Sequence, residues 1–226
     1  MTNAATAQPP RGVIVELDFA VLPGHALMKD ICFARFEKEG LKVDDKKYFR
    51  YFGGKTFTSG LNALCNKLEK SIEVPAFVAE CQSQFSEALK GALSEIPDGF
   101  RDFVKALIAK NIKVVLVTRA ESEVVQAAFA DIDSELFIVQ QETLLSFCFT
   151  NWEGWRRVAR KNSLHERLCM AVAGSGFSLK GAMNSGYSVM VKTNPLTEYQ
   201  DVSGCDMRVT EFTGALVNDV TQILRV

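Results

Sequence analysis

The run Val13 to Leu22, VIVELDFAVL, sets the terms for the rest of the chain. It opens on three β-branched residues, Val13, Ile14 and Val15, crosses two acids at Glu16 and Asp18, and leaves through Phe19 to Leu22. A near-continuous β-branched run predicts a strand buried on both faces of a parallel sheet. Acids at the carboxyl end of such a strand fall where open α/β sheets place their ligands. Two carboxylates there, one residue apart, are either chemistry or its remnant.

Beyond this strand the chain reads helical for a long way. Pro23-Gly24 breaks the run, and apolar spacing predicts helices over His25–Glu39, Asp44–Phe52 and Gly60–Lys70, the last capped by Thr58 or Ser59, and another opening at Val74-Pro75. From residue 96 the pattern alternates. Strands are predicted at Ile112–Thr118, Leu136–Val139, Leu168–Ala173, Tyr187–Val191 and Met207–Val209. Helices are predicted at Phe100–Lys110, Glu121–Phe129, Trp152–Asn162, Leu179–Ser185 and Gly214–Leu224. Such alternation means a parallel sheet covered on both faces. The expected fold is therefore α/β, a Rossmann-like parallel sheet with helices on both faces and an all-helical cap inserted after the first strand. The expected division is a disordered lead-in over 1–10, a core of 11–22 plus 96–226, and a cap over 23–95.

Composition narrows the function. A net charge of −1 over 226 residues gives no field for nucleic acid or an anionic membrane. No apolar run reaches spanning length, so no transmembrane helix is expected. Six scattered cysteines without a CxxC pair argue against a zinc site and a disulfide framework. Free thiols and an N-terminus without a basic start or apolar h-region suggest the cytoplasm.

The acid pair belongs to a wider constellation. Thr118 and Arg119, in VVLVTRA, close the second strand of the core. Cys169–Val191, CMAVAGSGFSLKGAMNSGYSVMV, is a strand, loop, helix and glycine turn. With these motifs, almost the whole chain from about Gly12 resembles the haloacid dehalogenase superfamily, in its helical-cap phosphatase and β-phosphoglucomutase-like branch. The resemblance implies phosphoryl transfer through an aspartyl-phosphate and Mg²⁺. It places a nucleophile at Glu16, where the family has Asp, and a general acid/base at Asp18. It implies phosphate binding by Thr118, Arg119 and Ser175, and substrate reading by Arg50 and Lys55 around Gly53-Gly54 in the cap.

Three parts depart from that pattern. The extra methylene of Glu16 moves its oxygens by about an ångström, a misplacement that can cost on the order of a hundredfold in rate. Phe19 stands where the family keeps the backbone open to phosphate. Thr150 falls in the lysine's place, with Arg156, Arg157 and Lys161 as candidate stand-ins or simply exposed charges. Ala173 and Gly174 replace the metal-binding acids, and Mg²⁺ normally needs one or two carboxylates. The expectation is a catalytically impaired protein, with no cofactor, that binds a phosphorylated small molecule or a protein partner between core and cap. Mg²⁺ enters only if the metal site is rearranged, and the alternative is an active phosphate-ester hydrolase with such a site.

Other residues read as structural. Thr118 can also cap the next helix. Gly174-Ser175-Gly176 is a tight turn before a helix, and His25 and His165 are surface or cap residues. Cys148 and Cys169 are core thiols. Trp152 and Trp155 are expected to pack on one helix face.

Overall fold

The computed structural model describes residues 10–144 and 149–225. The lead-in and Cys148 therefore fall outside the described residues, apart from Pro10. Strands β1 (Gly12–Glu16), β2 (Lys113–Thr118), β3 (Phe137–Gln141), β4 (Cys169–Ala173), β5 (Ser188–Val191) and β6 (Met207–Arg208) form one sheet in the order β3-β2-β1-β4-β5-β6. Every pairing is parallel, with Glu16 beside Val117 and Val15 beside Val172. The expected Rossmann-like α/β sheet is present, and β1 is central because its residues are apolar toward both faces. Val13 and Val15 join one buried cluster and Ile14 the other.

Helices cover both faces. On one side α5 (Asp98–Ala109), α6 (Ser122–Ala128) and α9 (Leu216–Leu224) supply Phe103, Val125 and Val220. On the other, α7 (Trp152–Lys161) and α8 (Gly176–Asn184) supply Trp155, Val158 and Leu179. Four helices lie between β1 and α5: α1 (Gly24–Lys38), α2 (Asp45–Phe52), α3 (Phe57–Leu68) and α4 (Val74–Ala92). Their aromatic core of Phe36, Phe77 and Phe85 is continuous with the sheet cluster that holds Val13 and Leu116. No helix among the described residues is long and apolar enough to cross a membrane.

Two helices start three residues before the sequence reading. Helix α3 begins at Phe57, because Thr56, not Thr58 or Ser59, is the cap: its Oγ1 accepts the Ser59 amide at 3.3 Å. Helix α8 begins at Gly176 rather than Leu179, because Ser175 and Ser178 form a reciprocal capping box. The tryptophans also part company. Trp155 is fully buried, and its Nε1 donates to the Phe149 carbonyl at 2.8 Å. Trp152 sits at the helix start, exposed, under the Arg156 guanidinium at 4.7 Å.

Strand β1 does not run straight into the cap. Leu17–Val21 form one wide turn, closed by the Leu22 amide donating to the Leu17 carbonyl at 3.0 Å. Such π-type turns are rare and often mark functional sites. The turn brings the Asp18 carbonyl against the start of α1, where a Cβ on Gly24 would lie 2.2 Å from that oxygen. Only glycine fits there.

Candidate functional site between core and cap

The wide turn decides where the two acids go. Glu16, last in β1, is 5% exposed and accepts the Gly174 amide on Oε2 at 3.0 Å. Asp18 is rotated toward β2 and is fully buried. Its Oδ1 accepts the Thr118 hydroxyl at 2.7 Å. Its Oδ2 accepts the Arg119 backbone amide at 2.9 Å and the Arg119 guanidinium at 3.2 Å. Thr118 Oγ1 in turn accepts the Ala120 amide at 3.0 Å. It does not cap α6, whose N-cap position is Glu121 with no side-chain bond.

Burial pushes both carboxyls above their ordinary range. For Glu16 the Gly174 amide and then Arg119 pull back, and for Asp18 Arg119 does so first. Arg119 is itself 3% exposed, with its guanidinium 5.2 Å from the Phe19 ring and 5.9 Å from the Phe149 ring. A buried pair of this kind holds because each charge has its partner.

Gly174 leaves no room for a side chain. A Cβ at this position would lie 2.4 Å from the Phe19 carbonyl carbon and oxygen and 2.8 Å from the Ala20 nitrogen. The colliding atoms are backbone. The wide turn therefore occupies the space that a metal-binding side chain at 174 would need. Mg²⁺ takes a near-octahedral set of oxygens. The residues present do not fit it: Ala173 and Gly174 offer no carboxylate, Asp18 is engaged on both oxygens, and the described residues hold no cluster of three potential ligands.

Between this floor and the cap lies a cavity of about 150 Å³. The cap contributes Met28, Tyr48, Phe49, Phe52, Phe57 and the Gly53–Lys55 loop. The core contributes Glu16, Phe19, Arg119, Phe149, Thr150, Ser175 and Phe177. The structure thus brings Glu16, Arg119, Ser175 and Lys55 to one cavity and sets Asp18 and Thr118 behind its wall. Arg50 is exposed outside it, 6.0 Å from the Tyr51 ring. Arg157 pairs with Glu142 at 2.6 Å and Arg156 with Glu166 at 3.7 Å, while Lys161 is exposed. Thr150 lines the cavity where the lysine was expected.

His25 is not a surface residue. It lines the cavity with its ring 4.6 Å from that of Phe19, and burial lowers its pKa to about 4. His165 does act as a cap, accepting the Arg167 amide at 3.3 Å. Cys169 is buried in the sheet, its thiol pushed up to about 12 by burial. The aromatic wall is what sequence reasoning missed. Its signal was the count of 16 phenylalanines, but the residues come from the cap and from three separate core segments.

Several contacts hold the cap down. Gln82 of α4 accepts the Leu144 amide at 2.7 Å and donates to the Arg119 carbonyl at 3.4 Å. Lys90 pairs with Glu121 at 3.2 Å. Phe177, at the start of α8, packs on Gly53 and Gly54, and Tyr199 meets Phe49 edge-on at 6.0 Å.

A parallel sheet with this strand order and a four-helix insertion after β1 defines the haloacid dehalogenase-like fold with a helical cap. Solved structures agree. The chain is similar to CbbY from Rhodobacter sphaeroides in complex with phosphate, at 13% identity over 92% of this chain and 96% of that one, with a TM-score of 0.71. It is similar to β-phosphoglucomutase from Clostridium difficile, at 14% identity over 96% and 97%, with a TM-score of 0.72. A phosphonoacetaldehyde hydrolase-like protein from Oleispira antarctica aligns over 100% and 96% at 14% identity and a TM-score of 0.71. No protein-family profile matches the sequence, and no curated protein matches it. Likeness at these identities is a likeness of fold, and function rests on the site.

Proposed function

We propose that this chain is a non-catalytic protein of the haloacid dehalogenase-like fold that binds a small molecule in the cavity between core and cap. The observation that carries the reading is the engagement of Asp18. A phosphoryl group is held by hydroxyl, amide and cationic donors around its oxygens. Here the Thr118 hydroxyl, the Arg119 amide and the Arg119 guanidinium all point at Asp18. The carboxylate stands in for the phosphate that the resemblance leads one to expect. It is also lost to acid/base work, since a general acid must reach the leaving oxygen within hydrogen-bond range.

Glu16 does not restore the chemistry. It touches the cavity, but its carboxyl is tied to Gly174 and raised toward the neutral form, which is the poorer nucleophile. The cavity and the latched cap suit ligand capture. The reading drops turnover and metal and keeps the small molecule. A phosphate on that molecule would compete with Asp18 for its donors.

Hydrolysis of p-nitrophenyl phosphate, with and without Mg²⁺, by wild type and Asp18→Asn tests this. The expected result is the same background rate in all four samples. Mg²⁺-dependent release of nitrophenol that survives purification and disappears in Asp18→Asn would overturn the reading in favour of an active hydrolase.

A further inference from the structure

Helices α1 and α4 of the cap run antiparallel, and side-chain contacts fix the register between them. Phe36, late in α1, stacks on Phe77, early in α4, with ring centroids 5.6 Å apart, and Arg35 pairs with Glu80 at 3.1 Å. At the other end Phe19 reaches both His25, at the start of α1, and Phe85 of α4, at 4.6 and 5.8 Å. One turn before Phe36 stands Cys32, and one turn beyond Phe77 stands Cys81. Both are 0% exposed and belong to one apolar cluster, so each faces the seam between the helices. The layer next to the Phe36–Phe77 pair is thus a pair of thiols. Packed helix axes lie about 8–10 Å apart with Cα atoms about 2.3 Å off each axis, which sets facing Cα atoms roughly 5 Å apart, within the span of a disulfide.

We propose that Cys32 and Cys81 are a redox pair, closed to a disulfide by hydrogen peroxide, that locks the cap over the cavity. The pair acts whatever molecule the cavity binds. A buried thiol is inert unless its oxidant can approach. Met28, one turn before Cys32 on α1, lines the cavity, and so does Tyr48 of α2. Peroxide is little larger than water and reaches the seam from that side.

Cys81 is the attacking thiol. Contact with Cys32 holds it below the ordinary range against the pull of burial, while burial pushes Cys32 well up. The Cys81 thiolate attacks one peroxide oxygen and the O–O bond breaks, giving a sulfenic acid and a hydroxide that takes up a proton as water. The Cys32 sulfur then attacks the sulfenic sulfur. The S–S bond forms, the S–O bond breaks, and the Cys32 proton leaves with the hydroxyl as a second water. Two thiols are oxidised and one peroxide is reduced by two electrons. The bridge closes a loop that holds α2 and α3, which bring Tyr48, Phe52 and Phe57 to the cavity. It also ties α1 to the neighbour of Gln82, whose side chain holds the Leu144 amide.

Peroxide treatment of the reduced full chain, followed by alkylation in denaturant and tryptic mapping without reduction, tests the proposal. The expected product joins peptide 30–35, with Cys32, to peptide 71–90, with Cys81. The thermal midpoint should rise by about 5 °C or more and fall back with dithiothreitol. Hydrogen exchange in α2 and α3 should slow in the oxidised chain. Cys32→Ala and Cys81→Ala should each lose the rise, and Cys65→Ala, a third cap thiol, should keep it. The map is read on the wild type, so it stands even where a variant fails to fold. Bridges between other cysteines, or Cys32 and Cys81 both recovered alkylated after the half-buried Cys205 has been oxidised, would overturn the proposal. A Cys32–Cys81 bridge that leaves the midpoint and the exchange of α2 and α3 unchanged would overturn the lock.

Discussion

Asp18 and Thr118 stand 100 residues apart in the chain and share a 2.7 Å hydrogen bond at the floor of the site. That bond, with the two from Arg119, turns a motif expected to bind phosphate into a self-contained buried cluster.

Asp18→Ala should therefore be destabilising, by about 3–5 kcal/mol, because it leaves the Arg119 charge buried without its carboxylate. It should also free the donors around Asp18. Inorganic phosphate is expected to raise the thermal midpoint of Asp18→Ala and to leave that of the wild type unmoved. A denaturant series with and without phosphate reads both effects.

Restoring an acid to the fourth strand should fail. Gly174→Asp drives a Cβ into the Phe19 carbonyl, and overpacking against backbone costs about 3 kcal/mol or more. Phe19→Gly in the same chain should not relieve it, since the collision is with main-chain atoms. Chemical denaturation of the single and double variants measures this, and a well-folded Gly174→Asp that binds Mg²⁺ would contradict it.

The sheet was legible because β1, β2, β4 and β5 are apolar runs bounded by turns, and all six strands lie within a few residues of their expected places. Cap helices α1, α2 and α4 were legible for the same reason, through apolar spacing and the punctuation of Gly40, Gly53 and Pro75. The caps of α3 and α8 were not. In α8 the third helical residue of the capping box is Ser178 rather than the usual Glu or Gln. That positions 173 and 174 carry no carboxylate could be read directly. The direction of Asp18 could not, since it depends on a wide turn fitted between Gly24 and Gly174, contacts that no local pattern encodes. The same turn carries Phe19 and sets its ring, tilted, 4.6 Å from that of His25, which lies in the cavity wall rather than at the expected surface.

Acid sensitivity should carry the mark of His25. Its folded pKa lies at about 4, below the ordinary 6.5, through burial and then, against the pull of the Gly174 carbonyl, Arg119. The unfolded chain takes the proton first as pH falls. The contribution is thus fully present above about pH 6.5 and is lost as pH drops to about 4, to a total on the order of 3 kcal/mol. Burial raises Glu16 and Asp18, which act with the opposite sign, but they are common to wild type and variant. His25→Gln should therefore gain on the wild type between pH 6.5 and 4, as measured by urea unfolding at stepped pH.

The cap should loosen when Gln82 is removed. Gln82→Ala deprives the Leu144 amide of its acceptor and the Arg119 carbonyl of a donor, at a cost of about 1–2 kcal/mol. Hydrogen exchange at Leu144 is expected to speed up while β1 and β4 stay protected. Equal exchange in both proteins would mean that the cap is held by its apolar contacts alone.

Thermal unfolding of the wild type in the presence of Mg²⁺, vanadate, or both tests the central claim most directly. Any ligand that prefers the native state raises the midpoint by mass action. The account predicts that neither moves it, because the phosphoryl donors are spent on Asp18 and the residues of the fourth strand offer Mg²⁺ no carboxylate. A midpoint that rises with vanadate, and rises further when Mg²⁺ is added, would contradict it.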